Sequence, residues 1–303
     1  MPRPVILGLV GDSGAGKTTI ARGLLRVLGA DSVTRVSTDD YHRYGRARRL
    51  ELGLTPLDPE CNHLDILEQH LELLREGQPV LKPVYRHADG TFLPPVYVAP
   101  SRFLVVEGLL GYHTRALRSC YDVRVFLAPP ETLRRRWKLS RDVSRRGYTT
   151  DEVLAEIDRR ESDADSFIRP QRRYADVVVS FADGADVEVL LRSTLPHPQL
   201  APLVEGASGI TVEERDGDER VLVSGSIDRA TAERIEETIW ARMHFAAHLR
   251  SERLGEYTLG TDLRRSEALG LVQLVVLYHL VCARASLAVG GGGEPRADPE
   301  VVE

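Results

Sequence analysis

Residues 11–20, GDSGAGKTTI, constrain this chain more than any other stretch. Gly11, Gly16, Lys17 and Thr18 satisfy the pattern G-x-x-x-x-G-K-[ST]. The preceding run, Val5-Ile6-Leu7-Gly8-Leu9-Val10, is apolar and β-branched enough for a buried strand, and Thr19–Leu28 has the apolar spacing of a helix. A strand, a glycine-rich turn and a helix N-terminus aim several backbone N–H groups at one point, which suits a phosphate chain. The expected nucleotide-binding set is Gly11, Asp12, Ser13, Gly14, Ala15, Gly16, Lys17, Thr18 and Thr19. Within it, Lys17 reaches the outer phosphates and the Thr18 hydroxyl ligates Mg²⁺.

At 303 residues the chain can bury a full core as one α/β domain, with or without an appendage. Its net charge of −5 argues against a general nucleic-acid or membrane-surface binder, so a strong anion site has to be a local cluster of cations. Only Lys17, Lys82 and Lys138 among the 40 basic residues are lysine, which marks them as candidates for places that want a compact point charge. Cys61, Cys120 and Cys282 form no C-x-x-C and read as reduced thiols of a cytoplasmic protein. No signal peptide is expected, because the apolar start runs straight into the phosphate loop. The run Ala268–Cys282 is too short for a bilayer and contains Gln273 and His279, so a buried helix is expected.

Strands are expected at Val33–Ser37, Phe103–Val106, Val123–Leu127 and Asp176–Phe181, and helices at Leu64–Arg75, Thr132–Arg145 and Thr150–Phe167. Asp89-Gly90 and Pro94-Pro95 break the stretch Val84–Pro100 into a hairpin or an extended loop. Alternating strands and helices imply a mainly parallel sheet with its ligands at the carboxyl ends of the strands. Ile210–Glu214 and Arg220–Ser224 flank a turn, and two long helices follow at about Arg229–Leu249 and Arg265–Ala285. The expected organisation is a core over 1–200, a sheet extension with C-terminal helices over 201–289, and a disordered tail over 290–303. The helix at 150–167, charged almost all round, is read as a mobile cover for the core, a lid over about 150–170.

A phosphate loop alone does not separate a kinase from an ATPase, a GTPase or a transporter motor. No N-K-x-D base-reading segment is present, which disfavours a GTPase. Asp39 and Asp40 end the second strand, and Glu107 ends the Phe103–Val106 strand. If both strands neighbour the first, these carboxylates flank the terminal phosphate; otherwise they cap turns. An aspartate there suits a general base, and Glu107 suits a Mg²⁺ role. The basic run Arg134–Tyr148 is either a solvated face or a cluster where two phosphorylated ligands meet.

The chain resembles the phosphoribulokinase/uridine kinase family. The resemblance is carried by GDSGAGKTT, STDDYHRYGR (37–46), LDPECNHLD (57–65), KPVYRH (82–87), VVEGL (105–109), WKLSRDVSRRGYTTDE (137–152) and FIRPQRRYADVVV (167–179). These cover about residues 5–180, and the H-R-x-x-R after the aspartates leans towards the phosphoribulokinases. The resemblance implies a P-loop kinase fold and ATP-dependent phosphorylation of D-ribulose 5-phosphate. It implies Asp39 as general base, Lys17 and Arg141 on the transferring phosphate, and Thr18 and Glu107 on Mg²⁺. His42, Arg46, Tyr85, His87, Lys138 and Arg146 are the implied sugar-phosphate site. Arg159 and Arg160 are implied in a lid or an inter-subunit contact, and a homodimer or higher homo-oligomer is expected. Two departures stand out: Leu110 replaces the family's usual histidine, and Ala15 takes the place of the cysteine that thiol-regulated members carry in the phosphate loop. The rivals are a uridine kinase or another sugar-phosphate kinase, and a non-catalytic nucleotide-binding regulator.

Overall fold

A computed structural model describes residues 3–182, 185–259, 262–291, 296 and 298. The strands are β1 (Val5–Gly11), β2 (Val33–Ser37), β3 (Val80–Arg86), β4 (Thr91–Val98), β5 (Phe103–Gly108), β6 (Val123–Leu127), β7 (Val177–Phe181), β8 (Val187–Leu191), β9 (Ile210–Arg215), β10 (Asp218–Val223), β11 (Glu256–Leu259) and β12 (Asp262–Arg265). The helices are α1 (Lys17–Leu28), α2 (Arg46–Glu51), α3 (Leu64–Arg75), α4 (Arg115–Cys120), α5 (Glu131–Arg146), α6 (Thr150–Arg159), α7 (Glu161–Asp163), α8 (Ala201–Val204), α9 (Arg229–Arg242) and α10 (Glu267–Ala288).

One sheet runs in the order β2-β5-β1-β6-β7-β8-β10-β9. From β2 to β7 it is parallel, and β8, β10 and β9 extend it antiparallel. Helices cover both faces of the central strands, so β1 and β6 are buried along their whole length and read as continuous apolar runs. One face carries Leu7, Leu9, Ile20 and Leu24 packed with Ile239, Leu274 and Leu277 of the C-terminal helices. The other carries Ile6, Val10, Leu104 and Val106 with Leu67, Leu71 and Leu117. The helices α9 and α10 therefore share a core with the strand that feeds the phosphate loop.

One helix departs from what the sequence leads one to expect, and a second agrees with it. α6 is not charged all round in effect: Val153 and Ile157, four apart, are buried against α5, and ion pairs Arg135–Asp158 and Lys138–Glu156 neutralise the seam. The apolar run at 268–282 lies in a 22-residue helix, long and apolar enough by length and composition to cross a membrane, but 72% of its apolar window is buried inside the fold. It packs on α1, α9, β1, β6 and β8, as a core helix does.

Of the tail expected over 290–303, residues 292–295, 297 and 299–303 lie outside the described residues. Arg296 and Asp298 are docked on the core, at the amino ends of β6 and β7. Arg296 donates two hydrogen bonds to the fully buried Asp176, at 2.7 and 2.8 Å. Asp298 pairs with Arg118 at 2.7 Å and with the buried Arg124 at 3.3 Å. Burial favours the neutral acid, but the arginines outweigh it and hold Asp176 below the usual carboxylate range. Arg296→Ala removes a charged partner from a buried carboxylate, and a loss of about 1–3 kcal/mol of unfolding free energy is expected. Urea titration of the native protein and Arg296→Ala, followed by circular dichroism, measures it.

Candidate active site

β1 ends at the phosphate loop, and the loop wraps the N-terminus of α1. Gly14 and Gly16 take positive φ, 88° and 97°, which suits residues without a side chain. A Cβ on Gly14 would come within 3.0 Å of the Lys138 Cβ, so its glycine also lets α5 lie against the loop. The Lys17 ammonium donates to the carbonyls of Gly11 and Asp12 at 2.7 and 2.9 Å. Burial lowers its pKa, and the nearby Asp39, Asp12 and Glu107 work against that. Arg134 braces the loop from α5 by donating to the Ser13 carbonyl at 2.9 Å.

The two adjacent aspartates have separate environments. Asp40 forms an ion pair with the buried Lys82 and accepts the Tyr85 N–H at 2.9 Å, so it pins the β3–β4 hairpin to the end of β2. Asp39 remains at the site, partly exposed, with its Oδ2 3.9 Å from His87 Nε2. Glu107, at the end of β5, accepts the Thr18 hydroxyl at 3.2 Å. Among the described residues no group of three or more His, Cys, Asp or Glu is placed to hold a metal alone. A Mg²⁺ that keeps waters and nucleotide oxygens as ligands needs no such cluster, and the hard oxygens of Thr18 and Glu107 fit it.

The acceptor side is built on the hairpin. The Tyr85 ring meets His42, His87 and Phe92 edge-on, with centroids 4.7, 5.1 and 5.6 Å away. Arg46 donates to the His87 carbonyl, and its backbone N–H bonds to the Gly90 carbonyl at 2.8 Å. The Asn62 amide nitrogen donates to the carbonyls of Pro56 and Asp58, which leaves Oδ1 as acceptor for His42 Nδ1 at 2.8 Å. His42 therefore carries its proton on Nδ1, and Nε2 is left as an acceptor. Sequence reasoning missed Arg49, which is buried beneath Tyr85 and donates to its hydroxyl at 2.8 Å. Its spacing of three from Arg46 on α2 was the available signal.

On α5, Arg141 donates to Asp142 at 2.8 Å and to the Ser13 hydroxyl at 3.3 Å, so it stands at the phosphate loop. The structure does not bring Lys138 together with the other implied acceptor residues: its side chain is 2% exposed, and its ammonium is held by Asp142 at 2.8 Å and Glu156 at 3.1 Å in the α5–α6 seam. Burial would raise the Asp142 pKa, but Arg141 and Lys138 hold it down at about 2. Arg146 ends α5, and its side chain lies outside the described residues. Arg160 pairs with Glu156 at 3.1 Å and is close enough to Asp39 to feel its charge. Leu110 is buried with Leu57, Leu109, Ala164 and Ile168, so it anchors the segment after α7. Burial pushes the thiols of Cys61 and Cys120 up to about 11, which leaves them unreactive.

A doubly wound sheet with a phosphate loop, a strand-end aspartate and a basic helix over the loop defines a P-loop kinase fold. The chain belongs to the phosphoribulokinase/uridine kinase family, whose model matches residues 6–188. It is 38% identical over 179 residues to the phosphoribulokinase of Synechocystis sp., covering 59% of this chain and 54% of that one. It is 32% identical over 183 residues to the uridine kinase of Brevibacillus brevis, covering 59% of this chain and 86% of that one. The chain thus spans about half the length of the curated phosphoribulokinases it matches. In fold it is similar to a phosphoribulokinase from Rhodobacter spheroides, with a TM-score of 0.59, 21% identity, and coverage of 81% of this chain and 99% of that one.

His42 gives a pH prediction. Desolvation by burial is the largest effect on it, and lowers its pKa to about 4 against the raising influence of Asp39. The unfolded chain binds this proton near pH 6.5 and the folded one does not, so stability falls as pH drops from about 6.5 to about 4. The total is on the order of 3 kcal/mol. In denaturant titrations across that range, His42→Gln is expected to lose less stability than the native protein.

Proposed function

We propose that this chain is an ATP-dependent kinase that uses Mg²⁺ and phosphorylates D-ribulose 5-phosphate at its 1-hydroxyl, giving D-ribulose 1,5-bisphosphate and ADP. The observation that carries this reading is the position of Asp39, between the phosphate-loop lysine and a wall of His42, His87 and Arg46. Asp39 accepts the hydroxyl proton as the phosphoryl group arrives. Lys17 and Arg141 face the phosphoryl group in flight and offset its charge. Thr18 and Glu107 would hold Mg²⁺, which when bound neutralises the phosphate chain. Arg46 takes the phosphate already on the sugar, while the His42 Nε2 acceptor orients a sugar hydroxyl. Arg49, by fixing Tyr85, keeps that wall rigid.

A uridine kinase is the second reading, favoured by the 86% coverage of the Brevibacillus protein. Against it stand the cations of the acceptor side, which suit a phosphate better than a nucleoside base. The higher identity to the Synechocystis phosphoribulokinase points the same way. On the favoured reading the protein works in the cytoplasm as a homodimer or higher homo-oligomer. ADP release measured against a panel of pentose and pentulose phosphates and uridine decides between the two acceptor classes.

Two substitutions test the roles. Asp39→Asn should lower kcat by about 10²–10⁴-fold with ATP affinity almost unchanged, since only the proton acceptor is removed. Steady-state kinetics with a nucleotide-binding titration measures both. Arg46→Ala should lower kcat/KM for the sugar phosphate by about 10- to 150-fold, the value of a charge-assisted hydrogen bond, and leave KM for ATP in place. If Arg46→Ala raised KM for ATP and spared the acceptor, the phosphorylated acceptor would be the wrong class.

A further inference from the structure

Arg35 lies on β2, the edge strand of the large sheet, opposite Val105, two residues before Ser37, which is opposite Glu107. Positions 35 and 37 share one face of the strand, so a long side chain at 35 reaches forward to the carboxylate that ends β5. Its guanidinium forms an ion pair with Glu107 Oε1, while Thr18 Oγ1 donates to Oε2. Both oxygens of this carboxylate are therefore engaged, one by a partner in metal binding and one by a fixed cation. Arg35 is 40% exposed and adds nothing to the core, so its place on β2 is not explained by packing.

We propose that Arg35 is a built-in competitor for the divalent cation, and that by neutralising Glu107 it lowers the metal affinity of the site. This rests on the kinase reading, in which Glu107 serves Mg²⁺. Two effects oppose each other. An arginine partner orients the carboxylate, which favours a metal, and it also cancels the charge that the metal needs. Orientation by a side chain this exposed is weak, and Thr18 already fixes the other oxygen. The charge acts in every rotamer, so it dominates. The metal then enters with the nucleotide, whose phosphates restore negative charge.

The test is Mn²⁺ binding to the ADP-loaded protein, followed by water-proton relaxation, with thermal unfolding to show that each variant is folded. Arg35→Ala should bind Mn²⁺ roughly 2- to 5-fold more tightly than the native protein, the scale of an exposed ion pair. Arg35→Lys should stay near the native value, and Arg35→Glu should bind more tightly than Arg35→Ala. In a Glu107→Gln background the gain from Arg35→Ala should be smaller than in the native protein, because the part exerted through Glu107 is gone. Unchanged or weaker Mn²⁺ binding in Arg35→Ala, with Glu107→Gln still weakening it, overturns the competition and leaves the kinase reading in place. If Glu107→Gln leaves Mn²⁺ binding unchanged, the metal role of Glu107 falls and the competition falls with it.

Discussion

The site depends on the contact between Gly108 and Thr38. A Cβ at position 108 would lie 1.6 Å from Thr38 Oγ1, so only glycine lets the carboxyl ends of β5 and β2 approach this closely. The contact is also bonded, since the Leu109 N–H donates to the same hydroxyl at 3.2 Å. Asp39 follows Thr38 directly and Glu107 directly precedes Gly108, so one close approach positions the proposed base and the proposed metal carboxylate together. β1 pairs with β5 on its other side, with Val10 opposite Gly108, which brings the phosphate loop to the same level. A residue with any side chain at 108 has to separate the strands, and both carboxylates leave their places relative to Lys17.

Much of this was legible because it is local or periodic. The phosphate loop needs a fixed spacing of glycines and a lysine, and a buried parallel strand is a short apolar run. Val33–Ser37, Leu64–Arg75 and Val123–Leu127 have the bounds read from the sequence. The scarcity of lysine was also informative. Lys17, Lys82 and Lys138 are all held by several partners in confined places, where a compact ammonium fits and a guanidinium fork does not.

Partner choice was not legible, because it is decided across the fold. Nothing in the dipeptide Asp39-Asp40 says which carboxylate meets Lys82; that depends on where the β3–β4 hairpin crosses the end of β2. Lys138 has the helical spacing of a site residue, yet α6 brings Glu156 over it and closes it off. β8 and the β11–β12 hairpin follow short or mixed segments whose pairing comes from neighbours. Arg296 and Asp298 lie in a stretch with the composition of a disordered segment, and their placement depends on a buried carboxylate and a buried arginine elsewhere in the fold.

The docking of Arg296 and Asp298 bears on how the protein can be handled. Near the other end of the chain Arg3 is bonded to Asp122, just before β6, and Arg284 donates to the Arg3 carbonyl at 3.2 Å. Arg3, Arg296 and Asp298 are thus all held at the amino edge of the sheet, while the phosphate loop and the β3–β4 hairpin lie at its carboxyl edge. A spectroscopic label placed at one of these three positions therefore sits on the opposite edge of the sheet from the phosphate loop and leaves the hairpin uncovered.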